Sequence, residues 1–133
     1  MRMIAFAFTG LLFVFAPADA PAQQMMRGDL AAATDSILNV YATQLNLTDE
    51  QQAEIREVLM AQGEKSRQMF EEARSGGREA MMEMRPKFAE MQKETDAQIE
   101  TLLTEDQIPG YRQIRLEMDA QRRERRRQRQ PGR

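Results

Sequence analysis

The run Met81-Met82-Glu83-Met84 sets two thioethers three residues apart, close enough to be neighbours on a helix. Thioether sulfur is a soft ligand that suits Cu(I), so Met81 and Met84 are the candidate metal-binding residues. The plainer use of methionine is as a flexible filler of irregular gaps, or as an adaptable contact on a surface that meets many partners. Phe88 and Met91 continue the same stripe at helical spacing, which favours packing or contact over coordination. Other chemistry is sparse. The chain has no histidine and no cysteine, so it has no Ser–His or Cys–His pair and no His/Cys zinc set. Gly63-Glu64-Lys65-Ser66 lacks the adjacent Gly-Lys and the upstream glycine of a phosphate loop. Adjacent carboxylates such as Glu71 and Glu72 are ordinary on a solvated helix. The residues therefore point to no catalytic site and no cofactor, and the expected class is a binding protein, not an enzyme.

The elements that carry these residues read as helices. Ala, Glu, Gln, Met, Arg and Leu dominate after Asp29, and no run of alternating β-branched residues occurs. Apolar spacing predicts four helices, over about 30–44, 49–74, 78–103 and 105–127. The second has a stripe through Ile55, Val58, Leu59, Met69 and Phe70 that Gln62 and Ser66 interrupt in its middle. Ser75-Gly76-Gly77 ends or bends that helix, because consecutive glycines are costly inside one. Pro86 sits within the third pattern and predicts a kink, since the apolar spacing continues past it. Pro109 and Gly110 weaken the start of the fourth.

Residues 1–22 read as a secretory signal peptide: Arg2, an apolar run from Ile4 to Ala16, then small residues spaced for cleavage. Three overlapping Ala-x-Ala sites follow, and cleavage between Ala22 and Gln23 is expected. Residues 23–29 would be a flexible N-terminus and 30–121 the helical domain. With no cysteine, an exported fold of this size must hold by packing alone. Charge is unevenly spread. Residues 23–121 carry 11 Lys/Arg against 19 Asp/Glu, whereas residues 122–133 carry seven Arg and one Glu. The tail has nothing apolar to pack and is expected to be disordered. Export argues against nucleic acid as its partner; a solvated tail is expected, with weak contact to an anionic membrane surface or to acidic proteins as the next readings.

Leu47-Thr48-Asp49-Glu50-Gln51 returns as Leu103-Thr104-Glu105-Asp106-Gln107. Each copy spells a helix start. The threonine caps a first-turn amide, the glutamine reaches back to the threonine amide, and the two acids face the positive end of the helix dipole. The leucine before the cap serves as a hydrophobic staple.

With its two Leu-Thr-x-x-Gln motifs, its methionines and its leader, the sequence resembles the CpxP/Spy family of periplasmic proteins over roughly 45–115. The match is specific at the motifs and compositional between them. The resemblance implies an all-α fold: a bent, kinked helical hairpin with short flanking helices, paired into a thin, curved homodimer. It implies a structural role for Leu47, Thr48, Gln51, Leu103, Thr104 and Gln107. The implied function is that of an ATP-independent chaperone binding unfolded or misfolded envelope proteins. Read from the apolar residues themselves, Met69, Phe70, Met81, Met84, Phe88 and Met91 are the candidate client surface. The alternative is an envelope-stress or metal-responsive regulator acting on a sensor kinase. The His-rich segments of the metal-linked relatives are absent, and the span between the motifs is shorter than in the best-known chaperone.

Overall fold

A computed structural model describes residues 20–129. It is all-helical, with α1 (Ala20–Leu45), α2 (Asp49–Ser75), α3 (Gly77–Leu102) and α4 (Ile108–Gln128). The expected leader falls mostly outside the described residues. None of the described helices is long and apolar enough to cross a membrane. Two expectations about the ends are corrected. Residues 23–29 belong to α1, because Gln, Met and Arg are good helix formers. The arginine-rich segment is helical through Gln128, with Arg125, Arg126 and Arg127 complementing the negative end of the helix dipole. The flanking helices are also not short: α1 has 26 residues, as many as α3.

The hairpin is α2 and α3, joined at Gly76. Gly77 has φ 79°, a left-handed conformation that glycine adopts without a Cβ clash, so the pair of glycines ends one helix and reverses the chain into the next. α3 then runs through Pro86 without interruption. α1 turns into α2 through three residues. Asn46 takes φ 52°, and the Leu47 amide donates to the Ala42 carbonyl at 3.3 Å, the six-to-one bond of a Schellman C-cap.

The core lies at the open end of the hairpin, where α1 and α4 join it. Tyr41, Tyr111, Ile55 and Ile99 are its most buried large side chains. Each stabilises the fold by roughly 1.5–3 kcal/mol relative to exposure. The two tyrosine rings meet edge to face at 5.2 Å. Leu47 and Leu103, the leucines of the two motifs, are buried in the same cluster.

The two motifs begin alike and end differently. Thr48 is an N-cap with both halves of a capping box: its hydroxyl accepts from the Gln51 amide at 3.1 Å, and its amide donates to Gln51 Oε1 at 3.1 Å. The second copy keeps only the latter half, Thr104 N–H to Gln107 Oε1 at 3.0 Å. A turn over 105–107 intervenes, and α4 starts at Ile108. The cause is Pro109. It cannot donate to the Glu105 carbonyl, and its ring crowds that position, so a helix from Glu105 is broken. Gly110 follows because a Cβ there would lie 2.8 Å from Leu45 Cδ2, and its absence lets α4 approach the end of α1.

The glutamines of the two copies bind each other. Gln51 Nε2 donates to Gln107 Oε1 at 2.8 Å, and Gln107 Nε2 returns a bond to Gln51 Oε1 at 3.2 Å. Gln51 Nε2 also donates to the Leu102 carbonyl, the last of α3, at 3.0 Å. Gln107 Nε2 does the same for the Leu45 carbonyl, the last of α1, at 3.1 Å. With the threonine amides included, each side-chain amide makes four hydrogen bonds, its full capacity. The pair thus satisfies carbonyls left over at two helix C-termini and ties together the ends of all four helices.

Candidate functional site

A groove opens on one face of the hairpin. Its floor comes from α2 and α3, and α1 and α4 form its walls. The reason lies in α4. Tyr111, Ile114 and Met118 follow one face and pack into or against the core. Arg122 and Arg126 then continue that face. Arginines do not replace the lost apolar contact, so α1 and α4 leave a space of about 490 Å³ between them. Leu30 and Ile37 line the α1 side, Arg122 and Arg126 the α4 side, and Phe88 and Met91 the floor. Gln62 and Ser66, which break the apolar stripe of α2, face this groove. Gly63 lies beneath Leu30.

Phe88 belongs to a second hollow as well. This one, about 440 Å³, lies nearer the hairpin turn and is lined by Phe70, Met81, Met82, Arg78 and Arg85. Phe88 lines both hollows, so they lie end to end along one face of α2 and α3 and are taken together as a trough. Its bed mixes apolar and polar side chains, with Arg122 and Arg126 on the α4 wall of the first hollow and Arg78 and Arg85 lining the second. Phe70 is 48% exposed and Met82 is 59% exposed.

The closed end of the trough holds a polar network. Asp96 Oδ1 accepts from Tyr111 Oη at 2.7 Å, from Arg115 Nε at 3.0 Å and from Gln92 Nε2 at 3.0 Å. Gln62 Nε2 donates to Gln92 Oε1 at 3.0 Å, so the chain of bonds reaches α2. Burial disfavours the Arg115 cation, but Asp96 and the two tyrosines outweigh it and hold its pKa above the usual value. Burial pushes both tyrosines up, Tyr111 further than Tyr41.

A pH dependence follows. Below the ordinary tyrosine pKa of 10.0 the hydroxyls are protonated in both the folded and the unfolded chain, and their contribution to stability is full. Above it only the unfolded chain releases these protons, so stability falls as pH rises. The chain has two tyrosines and no tryptophan. Tyrosinate absorbance should therefore appear together with loss of the helical circular dichroism in an alkaline titration. Tyrosinate forming while the helical signal is intact would contradict this burial.

The six candidate client residues do not share one surface. Phe70, Met81 and Phe88 line the trough. Met69 and Met84 line a separate hollow with Lys65, Lys87, Glu90 and Glu94. Met91 is 6% exposed and borders both. The candidate copper pair is divided in the same way, with Met81 opening on the trough and Met84 on the other hollow. The spacing alone did not reveal Met82, Leu30, Asp96 or Arg115. A signal for Arg115 was available, because it falls on the core-facing stripe of α4 between Tyr111 and Met118.

No family model, no curated protein and no solved structure matches this chain.

Proposed function

We propose that this chain is an exported, chaperone-like binding protein that holds apolar segments of unfolded envelope proteins in the trough. The observation that supports it is the pair of neighbouring hollows that share Phe88, with Phe70 and Met82 left open beside it. Large apolar surface that stays exposed is a common mark of an interaction site. Methionines let such a surface fit many sequences, since their side chains are flexible and polarizable. The arginines that line both hollows would speed encounter with acidic segments. Release needs no nucleotide: a client that folds hides its own apolar residues and loses its hold. Pairing into a homodimer belongs to the same proposal, because a second copy would cover part of the surface that four helices leave open.

An aggregation assay with a denatured client tests this reading. The chain should delay aggregation at near-stoichiometric ratios. Phe88→Asp puts a charge in the bed of the trough and should weaken protection by roughly tenfold, the cost of one central apolar contact. Met84→Asp, on the separate hollow, should leave protection close to the parent's. No delay by the parent, or equal loss in the two variants, would end the proposal.

A further inference from the structure

We propose that the arginine-bearing end of α4 is a docking surface for anionic lipid headgroups. From Arg122 to Arg129 the chain carries six arginines and a single acid, Glu124, and all of these residues are exposed. No apolar side chain occurs in the segment. At 3.6 residues per turn, Arg122, Arg125, Arg126 and Arg129 continue the stripe that Tyr111, Arg115 and Met118 use against the core. Arg123 flanks that face, while Arg127 lies on the far side with Glu124. Gln121, Glu124 and Gln128 take the opposite side, where the Gln128 amide donates to Glu124 at 3.2 Å. The ion pairs among the described residues lie elsewhere, so none of these six guanidinium groups has a carboxylate partner among the described residues.

The chemistry favours lipid over a shaped protein partner. A specific protein interface is built round an apolar core with charges at its rim, and this segment has no apolar residue to supply one. A bilayer surface needs none. Its phosphates form a laterally mobile array, and guanidinium forks donate to phosphate oxygens in bidentate pairs wherever they meet them. Nucleic acid offers phosphates too, but the leader-like N-terminus makes a membrane the first anionic surface the chain would meet. The rest of the chain from residue 23 carries an excess of acids, 19 against 11 bases, so the body is held off the same surface. Only the tip of α4 would approach the lipid. Arg122 and Arg126 also border the trough, so docking would bring its mouth to the membrane.

Co-sedimentation of the full chain with vesicles tests the assignment. Retention on vesicles containing phosphatidylglycerol should exceed retention on phosphatidylcholine alone by about tenfold or more, and should fall as added salt screens the charges. The leader's apolar run would act on both kinds of vesicle, so the difference between them is the readout. Replacing Arg122, Arg125, Arg126 and Arg129 together with Gln should abolish the difference, while the same four changed to Lys should keep most of it. These side chains have no bond to the body among the described residues, so the helical signal should persist in both variants. Equal retention on the two vesicles, an unaffected Gln variant, a Lys variant that behaves like the Gln one, or tighter binding to duplex DNA than to the anionic vesicles would each overturn the proposal.

Discussion

Asp96→Ala should destabilise the protein by about 3 kcal/mol, measured by urea denaturation followed through the helical signal. The size follows from what one oxygen does. Asp96 Oδ1 accepts three bonds, from Tyr111, Arg115 and Gln92, and so joins α3 to α4 at the closed end of the trough. The Arg115 side chain is only 10% exposed, so its charge has little water to fall back on. Removing the carboxylate leaves that charge and the Tyr111 hydroxyl without their acceptor. The pair Arg112–Glu100 spans the same two helices at 2.7 Å, but the arginine is 65% exposed, and its loss should matter far less. Asp96→Asn keeps an acceptor and loses the charge, so it should fall between the parent and Asp96→Ala. The discriminating variant is Asp96→Ala combined with Arg115→Met. If the cost is chiefly an uncompensated buried charge, removing that charge should recover part of it, and the double variant should be more stable than Asp96→Ala. A double variant showing the sum of two independent losses would show that the network acts through packing instead.

How far such features can be read from sequence depends on which interactions are local. The first motif was legible because a capping box is closed within four residues, Thr48 to Gln51, and tertiary context hardly enters. The hairpin was legible through Gly76-Gly77. The second motif was misread at α4's start because local spelling competed with a local veto: Pro109 removes the donor that a helix from Glu105 needs, and the veto won. The ends of the chain were misread for a different reason. Lack of apolar residues from Arg122 on suggested disorder, but Arg and Gln are good helix formers, and α4 is already nucleated by its packed first half.

The trough was only half legible. Its apolar residues appear in the periodicity of α2 and α3, and the polar break at Gln62 and Ser66 marks its floor. Which methionines share a surface was not legible, because residues three apart on α3 diverge once α2 packs between them. Met81 then joins Phe70, and Met84 joins Met69. Asp96 looked like any other helical acid, since its importance comes from partners 15 and 19 residues away.

The glutamine pair joins local and non-local interactions most closely, and it carries the second large expected effect. Gln107→Ala should cost roughly 2–3 kcal/mol, more than the approximately 1 kcal/mol expected for loss of a helix cap alone. Four hydrogen bonds disappear with that side chain, and three of them reach other helices: one to the Leu45 carbonyl and two exchanged with Gln51. Gln51→Ala should cost a similar amount, because it removes half of the capping box of α2 and the bond to the Leu102 carbonyl. The two changes should not add. Once either amide is gone, the other has already lost its reciprocal bonds, so a double-mutant cycle should return a coupling of about 1 kcal/mol or more between residues 56 apart in sequence. Thr48→Ala and Thr104→Ala make an internal comparison. Only Thr48 uses its hydroxyl to cap a helix, so only its loss should cost the full cap energy. A cycle with no coupling, or equal losses at the two threonines, would mean that the motifs act as separate helix starts. Strong coupling with unequal threonines would mean that the repeat persists because each copy completes the other: a helix start at one position and a clasp on four helix ends at both.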